Sequence, residues 1–141
     1  MDTLVSKAAT SILFIFVLMS CKEKSYDESH TNIFEADVNG KKIYIHKYTW
    51  GLSGNHSDIV VSLEKIENKK IDVSKDILYK GNSIMFYKVK NDTLFLLVET
   101  IAEIPKDFSN VVKVLQEEKS NRDLNILRET YSEQNLNKVG E

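Results

Sequence analysis

Residues 82–101 carry apolar side chains on both faces of what reads as one β-hairpin, and this limits the fold more than any other stretch. Asn82–Lys90 and Thr93–Ile101 are its arms, and Asn91-Asp92 is the turn, since both residue types tolerate left-handed backbone. The expected pairs are Val89 with Leu94, Tyr87 with Leu96 and Met85 with Val98. Ile84, Phe86, Phe95 and Leu97 fill the alternate face. Strands that are apolar on both sides need cover on both sides. A lone sheet with one wet face is excluded, and a second sheet or a helix is required.

An earlier hairpin reads just as clearly. Ile33–Val38 and Lys41–Trp50 flank Asn39-Gly40, a pair suited to a two-residue type I′ turn in which both central residues need positive φ. That turn sets Ala36 against Ile43 and Phe34 against Ile45 on one face, with Glu35 and Tyr44 paired on the other. Trp50–Asp58, with Gly51, Gly54, Asn55 and Ser57, reads as a loop. Ile59–Glu64 then reads as a strand with Ile59, Val61 and Leu63 on one face. Lys65–Lys70 reads as a turn, and Ile71–Val73 and Ile77–Tyr79 as short apolar pieces of either type.

Downstream, Pro105 closes the central hairpin and Val111–Leu115 suggests another strand. Ser120 or Asn121 caps a helix running to about Leu136, with Asp123 in its first turn and Leu124, Leu127 and Tyr131 as its apolar stripe. Gly140 is read as the stop. A helix over Val111–Lys119 is the competing assignment. The expected fold is mainly β of the α+β class. It is an antiparallel sheet or small sandwich of hairpins with one C-terminal amphipathic helix, in a single domain over residues 33–141.

The first 20 residues belong to a different problem. Lys7 precedes an apolar run from Ala8 to Met19, which Lys22-Glu23-Lys24 cuts off. The layout is that of a secretory signal. The run is shorter than the roughly 20 apolar residues of a membrane-spanning helix. Leu18-Met19-Ser20-Cys21 resembles the lipobox of bacterial lipoproteins, with Leu at minus three, a small residue at minus one and then the modified cysteine. The resemblance covers only this stretch. It implies cleavage before Cys21, acylation of Cys21 including palmitate-type chains, and anchoring of the mature chain to a membrane of the cell envelope. Lys22 stands where an Asp would resemble an inner-membrane retention signal in enteric-type bacteria, so the resemblance favours the outer membrane over the inner and leaves the leaflet open. Residues 21–32 are then a lipidated N-terminus and polar tether.

Cys21 is the only cysteine, so acylation leaves no thiol for a disulfide, a zinc site or a nucleophile. Nineteen Lys and Arg against 21 Asp and Glu give a net charge of −2, with the signs interspersed. No basic stripe is present to neutralise phosphates, and nucleic acid is not an expected partner.

Candidate chemistry concentrates between Tyr44 and Asp58. Tyr44, His46, Tyr48 and Trp50 alternate along one strand and share a face, which suggests a binding stripe. Trp50 offers a broad rigid face with one N–H donor, and His56 and Asp58 offer polar contacts beside it. His46, His56 and Asp58 are metal-ligand types, but their spacing matches no zinc motif, and neither a metal nor a cofactor is expected. Gly51-Leu52-Ser53-Gly54-Asn55 begins like a nucleophile elbow and departs from it at Asn55. No catalytic constellation emerges. The expectation is a non-catalytic binding or assembly module, held at the membrane by Cys21 and meeting another envelope protein or a small ligand. The alternatives are a small-ligand or lipid carrier with an aromatic-lined groove and, behind it, an enzyme using His56 and Asp58.

Overall fold

The computed structural model describes residues 30–67 and 70–140. The expected signal segment, Cys21 and the chain as far as residue 29 lie outside these residues.

Two four-stranded sheets pack face to face. β1 (His30–Val38), β2 (Lys41–Trp50), β3 (His56–Ser62) and β4 (Ile77–Lys80) form an antiparallel meander in chain order. β5 (Met85–Lys90), β6 (Thr93–Val98), β7 (Lys113–Glu118) and β8 (Asn137–Val139) form the second sheet in the order β7-β6-β5-β8. A short helix, α1 (Lys106–Ser109), lies between β6 and β7, and α2 (Asn121–Thr130) lies between β7 and β8.

The local signals worked where turn chemistry fixed the register. Asn39 and Gly40 both have positive φ, 54° and 76°, and the Asp37 carboxylate accepts from the Gly40 N–H at 2.8 Å. Ala36 pairs with Ile43, Phe34 with Ile45 and Glu35 with Tyr44. In the central hairpin Asn91 takes the left-handed conformation at φ 56°, and Val89, Tyr87 and Met85 pair with Leu94, Leu96 and Val98.

Alternation along the strands builds one core between the sheets. Ile43, Ile45, Ile59, Val61, Ile77 and Tyr79 of the first sheet meet Met85, Tyr87, Leu94, Leu96 and Val98 of the second. Each such side chain contributes roughly 1.5–3 kcal/mol by leaving water. The outer face of the second sheet needs separate cover, and α2 provides it. Leu124 and Leu127 pack with Ile84, Phe86 and Leu136, and the Tyr131 ring lies 5.9 Å from that of Phe86. The layers are therefore sheet, sheet and helix, and the central hairpin is covered on both sides.

Five expectations need correction. β7 pairs with β6 in parallel, so the second sheet is mixed. A parallel neighbour requires a crossover, and α1 lies within it directly after Pro105, with Phe108 buried. The C-terminal helix ends at Thr130, six residues before Leu136. Tyr131 is its C-cap, and turns follow in which Asn135 takes φ 53° and the Leu136 N–H donates to the Tyr131 carbonyl at 2.9 Å. Gly140 instead follows β8, a strand formed by Asn137–Val139 pairing with Tyr87, Phe86 and Met85. β1 starts at His30, so residues 30–32 pair with Lys47–Thr49 instead of extending the tether. β3 starts at His56, so His56 and Asp58 stand on a strand instead of in a loop.

Three polar links join the sheets. Where the chain passes from β4 to β5, Asn82 is 2% exposed and its Oδ1 accepts from the Glu99 and Thr100 N–H groups at 3.0 and 3.3 Å. Its own carbonyl accepts from Ser57 Oγ at 3.1 Å. At one edge, Gln116 of β7 accepts from the Tyr79 hydroxyl of β4 at 2.8 Å and exchanges two hydrogen bonds with Ala102. Towards the other edge, the Tyr87 hydroxyl donates to the Glu35 carbonyl of β1 at 3.3 Å.

Candidate binding cleft

Tyr44, His46, Tyr48 and Trp50 do lie on one face, the outer face of the first sheet, but they do not form a surface stripe. His46 and Tyr48 are both 0% exposed. The chain between β3 and β4 crosses this face, and the Ile66 N–H donates to His46 Nε2 at 3.4 Å. His46 also lies 6.1 Å from the Tyr48 ring, nearly parallel to it, and 6.4 Å from Tyr44. Burial holds the His46 pKa below its ordinary value, with the Lys65 ammonium adding to the effect and the Glu64 backbone opposing it. Burial, with Asp76 nearby, raises the Tyr48 hydroxyl to about 12. The His46 imidazole and the Tyr48 phenol are core groups of this face. Two members of the expected stripe are therefore out of reach of any ligand, because a polar connection without apolar periodicity packs over them.

Trp50 has a different fate. It pairs with His56 across β2 and β3, and the two rings stack at 6.0 Å with 22° between their planes. The loop between them is tight. Gly51 has φ 94°, and a Cβ there would stand 2.6 Å from Asn55 Oδ1 and 3.2 Å from the His56 ring. Only glycine lets Asn55 and His56 fold back over the loop in this way.

Asp58 is next along the face. Its Oδ1 accepts from the Gly81 N–H at 2.8 Å, where Gly81 turns the chain with φ 73°. Asp58 thus holds the end of β4, and Ser57 holds the Asn82 carbonyl beside it. Trp50, Asn55, His56, Ser57, Asp58, Lys80 and Gly81 together line an open cleft of about 450 Å³. Sequence reasoning found Trp50, His56 and Asp58. It missed Asn55, Lys80 and Gly81, although Gly81-Asn82 after an apolar run was a turn signal that would have brought the end of β4 to this place.

The cleft presents the Trp50–His56 stack, the Asn55 amide and the Lys80 ammonium on a hydrogen-bonded corner. It suits stacking combined with hydrogen bonding. The Ser57 hydroxyl donates to the Asn82 carbonyl and Asp58 Oδ1 accepts from the Gly81 N–H, so both side chains are tied to backbone groups. His46, His56 and Asp58 do not converge either, and among the described residues no group of three or more His, Cys, Asp or Glu side chains is placed to hold a metal ion.

A second groove of about 540 Å³ runs beside α2, where Phe95, Leu97, Ile126 and Leu136 share the lining with Lys88, Lys90, Glu117 and Asp123. The space between the two sheets is filled by fully buried side chains. No described helix is long and apolar enough to cross a membrane. The sequence matches no protein-family model, and neither a curated protein nor a solved structure is similar enough to count as a relative.

Proposed function

We propose that this chain is a lipid-anchored cell-envelope protein acting as a non-catalytic binding or assembly module, with the Trp50 cleft as its contact site. The Leu18–Cys21 resemblance supports the anchor, and it favours the outer membrane over the inner. One observation supports the cleft: the Trp50–His56 stack stands at a rigid corner and borders open space together with Lys80 and Asn55. The commitment of Asp58 to Gly81 argues against the enzyme reading. The carrier reading would need a deep apolar pocket between sheet and helix. The groove beside α2 mixes charged and apolar lining and supports that reading less well.

The test is crosslinking in intact cells at native expression, followed by pull-down and mass spectrometry. One envelope protein recovered near stoichiometry with the wild-type chain, and lost with Trp50→Ala in a folded, localised protein, is the expected result. Recovery that does not change with Trp50→Ala and His56→Ala would remove the cleft from the proposal. Recovery of lipid or glycan alone would move the assignment to a carrier.

A further inference from the structure

We infer that the open edge of β1 is a self-pairing surface, along which two copies of this chain join antiparallel over Thr31–Glu35 with the two Ile33 residues opposite each other. The inference rests on the lipid-anchor reading for the local concentration of copies, and it goes beyond that reading in naming the partner.

The phase of the backbone supplies the first observation. Val38 and Lys41 flank the two-residue Asn39-Gly40 turn and form the first hydrogen-bonded pair of the hairpin. Antiparallel pairs then alternate between bonded and unbonded. Ala36, Phe34, Asn32 and His30 therefore bond to β2, whereas Asp37, Glu35, Ile33 and Thr31 turn their N–H and carbonyl groups away from it. The Tyr87 hydroxyl fits this phase, since it reaches the Glu35 carbonyl from the second sheet. A carbonyl has two lone pairs, so Glu35 keeps one for a further strand.

The four sheet edges differ in how they are protected. β4 has 4 residues and β8 has 3. β7 carries Lys113, Glu117 and Glu118, and its Gln116 side chain holds Ala102 against it. β1 has 9 residues, paired to β2 without a bulge, and contains neither proline nor lysine. Proline, lysine, bulges and short length are the usual means of blocking strand addition. Ile33 is 41% exposed on this edge strand.

The sequence of the edge suits a second copy of itself. A two-fold axis at Ile33 sets Thr31 opposite Glu35, Asn32 opposite Phe34 and Ile33 opposite Ile33. The exposed Ile33 side chains then cover each other, and no like charges face across the seam. Glu35 also retains its contact with Lys42 at 3.5 Å. A ladder of five residues is a small contact, and copies confined to one membrane meet at a high effective concentration. No β1 residue lines the Trp50 cleft, so the paired copies keep both clefts available to the protein partner.

The test uses the full chain reconstituted into lipid vesicles, with acylation verified by mass spectrometry of the Cys21 peptide. Acylation removes the only native thiol, so each introduced cysteine is the single target of a bismaleimide with a two-carbon spacer. Ile33→Cys is expected to crosslink at least tenfold faster than Leu52→Cys, a fully exposed loop position, at equal protein density. Thr31→Cys and Glu35→Cys copies crosslink when mixed, and neither does so alone. Ile33→Pro removes no hydrogen bond within the domain, so it leaves the urea midpoint near that of the wild type while abolishing the mixed crosslink. Equal rates at Ile33 and Leu52, or a mixed crosslink that survives Ile33→Pro, would overturn the pairing and leave the anchor standing. Crosslinking of Thr31→Cys alone would overturn the register. Absence of acylation would remove the anchor reading and this inference together.

Discussion

The Tyr79 hydroxyl donates to Gln116 Oε1 at 2.8 Å, and this one bond ties the last strand of the first sheet to the outermost strand of the second. The same amide satisfies both the N–H and the carbonyl of Ala102. The crossover that makes β7 parallel is thus pinned by a side chain of β7 itself. Burial raises the pKa of Tyr79, so it remains a donor throughout the ordinary pH range.

Tyr79→Phe should cost about 1 kcal/mol, one net hydrogen bond. Gln116→Leu should cost more, on the order of 2–4 kcal/mol, because it also strands the Ala102 backbone groups. Urea unfolding of the two single variants and the double variant measures this. A coupling of zero would show that the bond contributes nothing to stability.

Asn82 occupies the corner between the sheets with its side-chain oxygen shared by two backbone N–H groups. Asn82→Ala leaves both without that acceptor and should destabilise by roughly 2–4 kcal/mol. Asn82→Asp keeps the acceptor and should be milder. Equal losses in the two variants would contradict the assignment.

His46 makes stability depend on pH. Its folded pKa lies below the ordinary value near 6.5, so the unfolded chain takes up a proton first. The contribution is fully present above about pH 6.5 and is lost as pH falls from there through the folded pKa. Asp76 works in the opposite sense. Burial raises its pKa, so its contribution is complete below the ordinary carboxylate value and is lost as pH rises through the folded pKa. Between pH 7 and pH 5 the denaturation midpoint of the wild type should therefore fall relative to that of His46→Phe, in which the Asp76 contribution remains. An unchanged slope in the variant would assign the effect to other groups.

The Ser120 hydroxyl accepts from the Asp123 N–H at 3.2 Å and caps α2. Ser120→Ala should cost about 1 kcal/mol. Leu124→Ala, at the buried face of the helix, should cost about 2–4 kcal/mol. Thermal unfolding that ranked the two in the opposite order would mean that α2 is held by its end rather than its face.

Cys21→Ala should abolish acyl-lipid labelling and membrane retention together. Labelling that persisted in this variant would rule out Cys21 as the acylated residue.

What the sequence disclosed tracks the range of the forces involved. Asn39-Gly40 and Asn91 set two hairpin registers because the turn and the pairs it aligns are neighbours in the chain. The two-sided apolar hairpin demanded two covering layers, and the sandwich with α2 supplies both. Features built by distant partners were hidden. Asn137–Val139 holds one buried hydrophobic residue and is a strand only because Met85–Tyr87 offers it an edge. The helix pattern of Leu124, Leu127 and Tyr131 gave no sign that Asn135 would turn left-handed. The face shared by Tyr44, His46, Tyr48 and Trp50 was legible from alternation, but its cover was not, since Glu64–Asp76 shows no apolar period. The cleft was half legible. Its residue types stood out in Trp50 and His56, whereas Lys80 and Gly81 reach it only through the β3–β4 pairing.

The antiparallel pairing of β1 with β2 runs unbroken from His30 against Thr49 to Val38 against Lys41, and its hydrogen bonds stand perpendicular to the strands. Tension arriving along the lead into His30, directed away from the domain, would slide β1 lengthwise past β2. The rungs of that ladder would share the load and yield together rather than open in turn. Under the proposed anchor, β1 would act as a shear joint, able to withstand a pull that would peel apart a hairpin loaded across its open end.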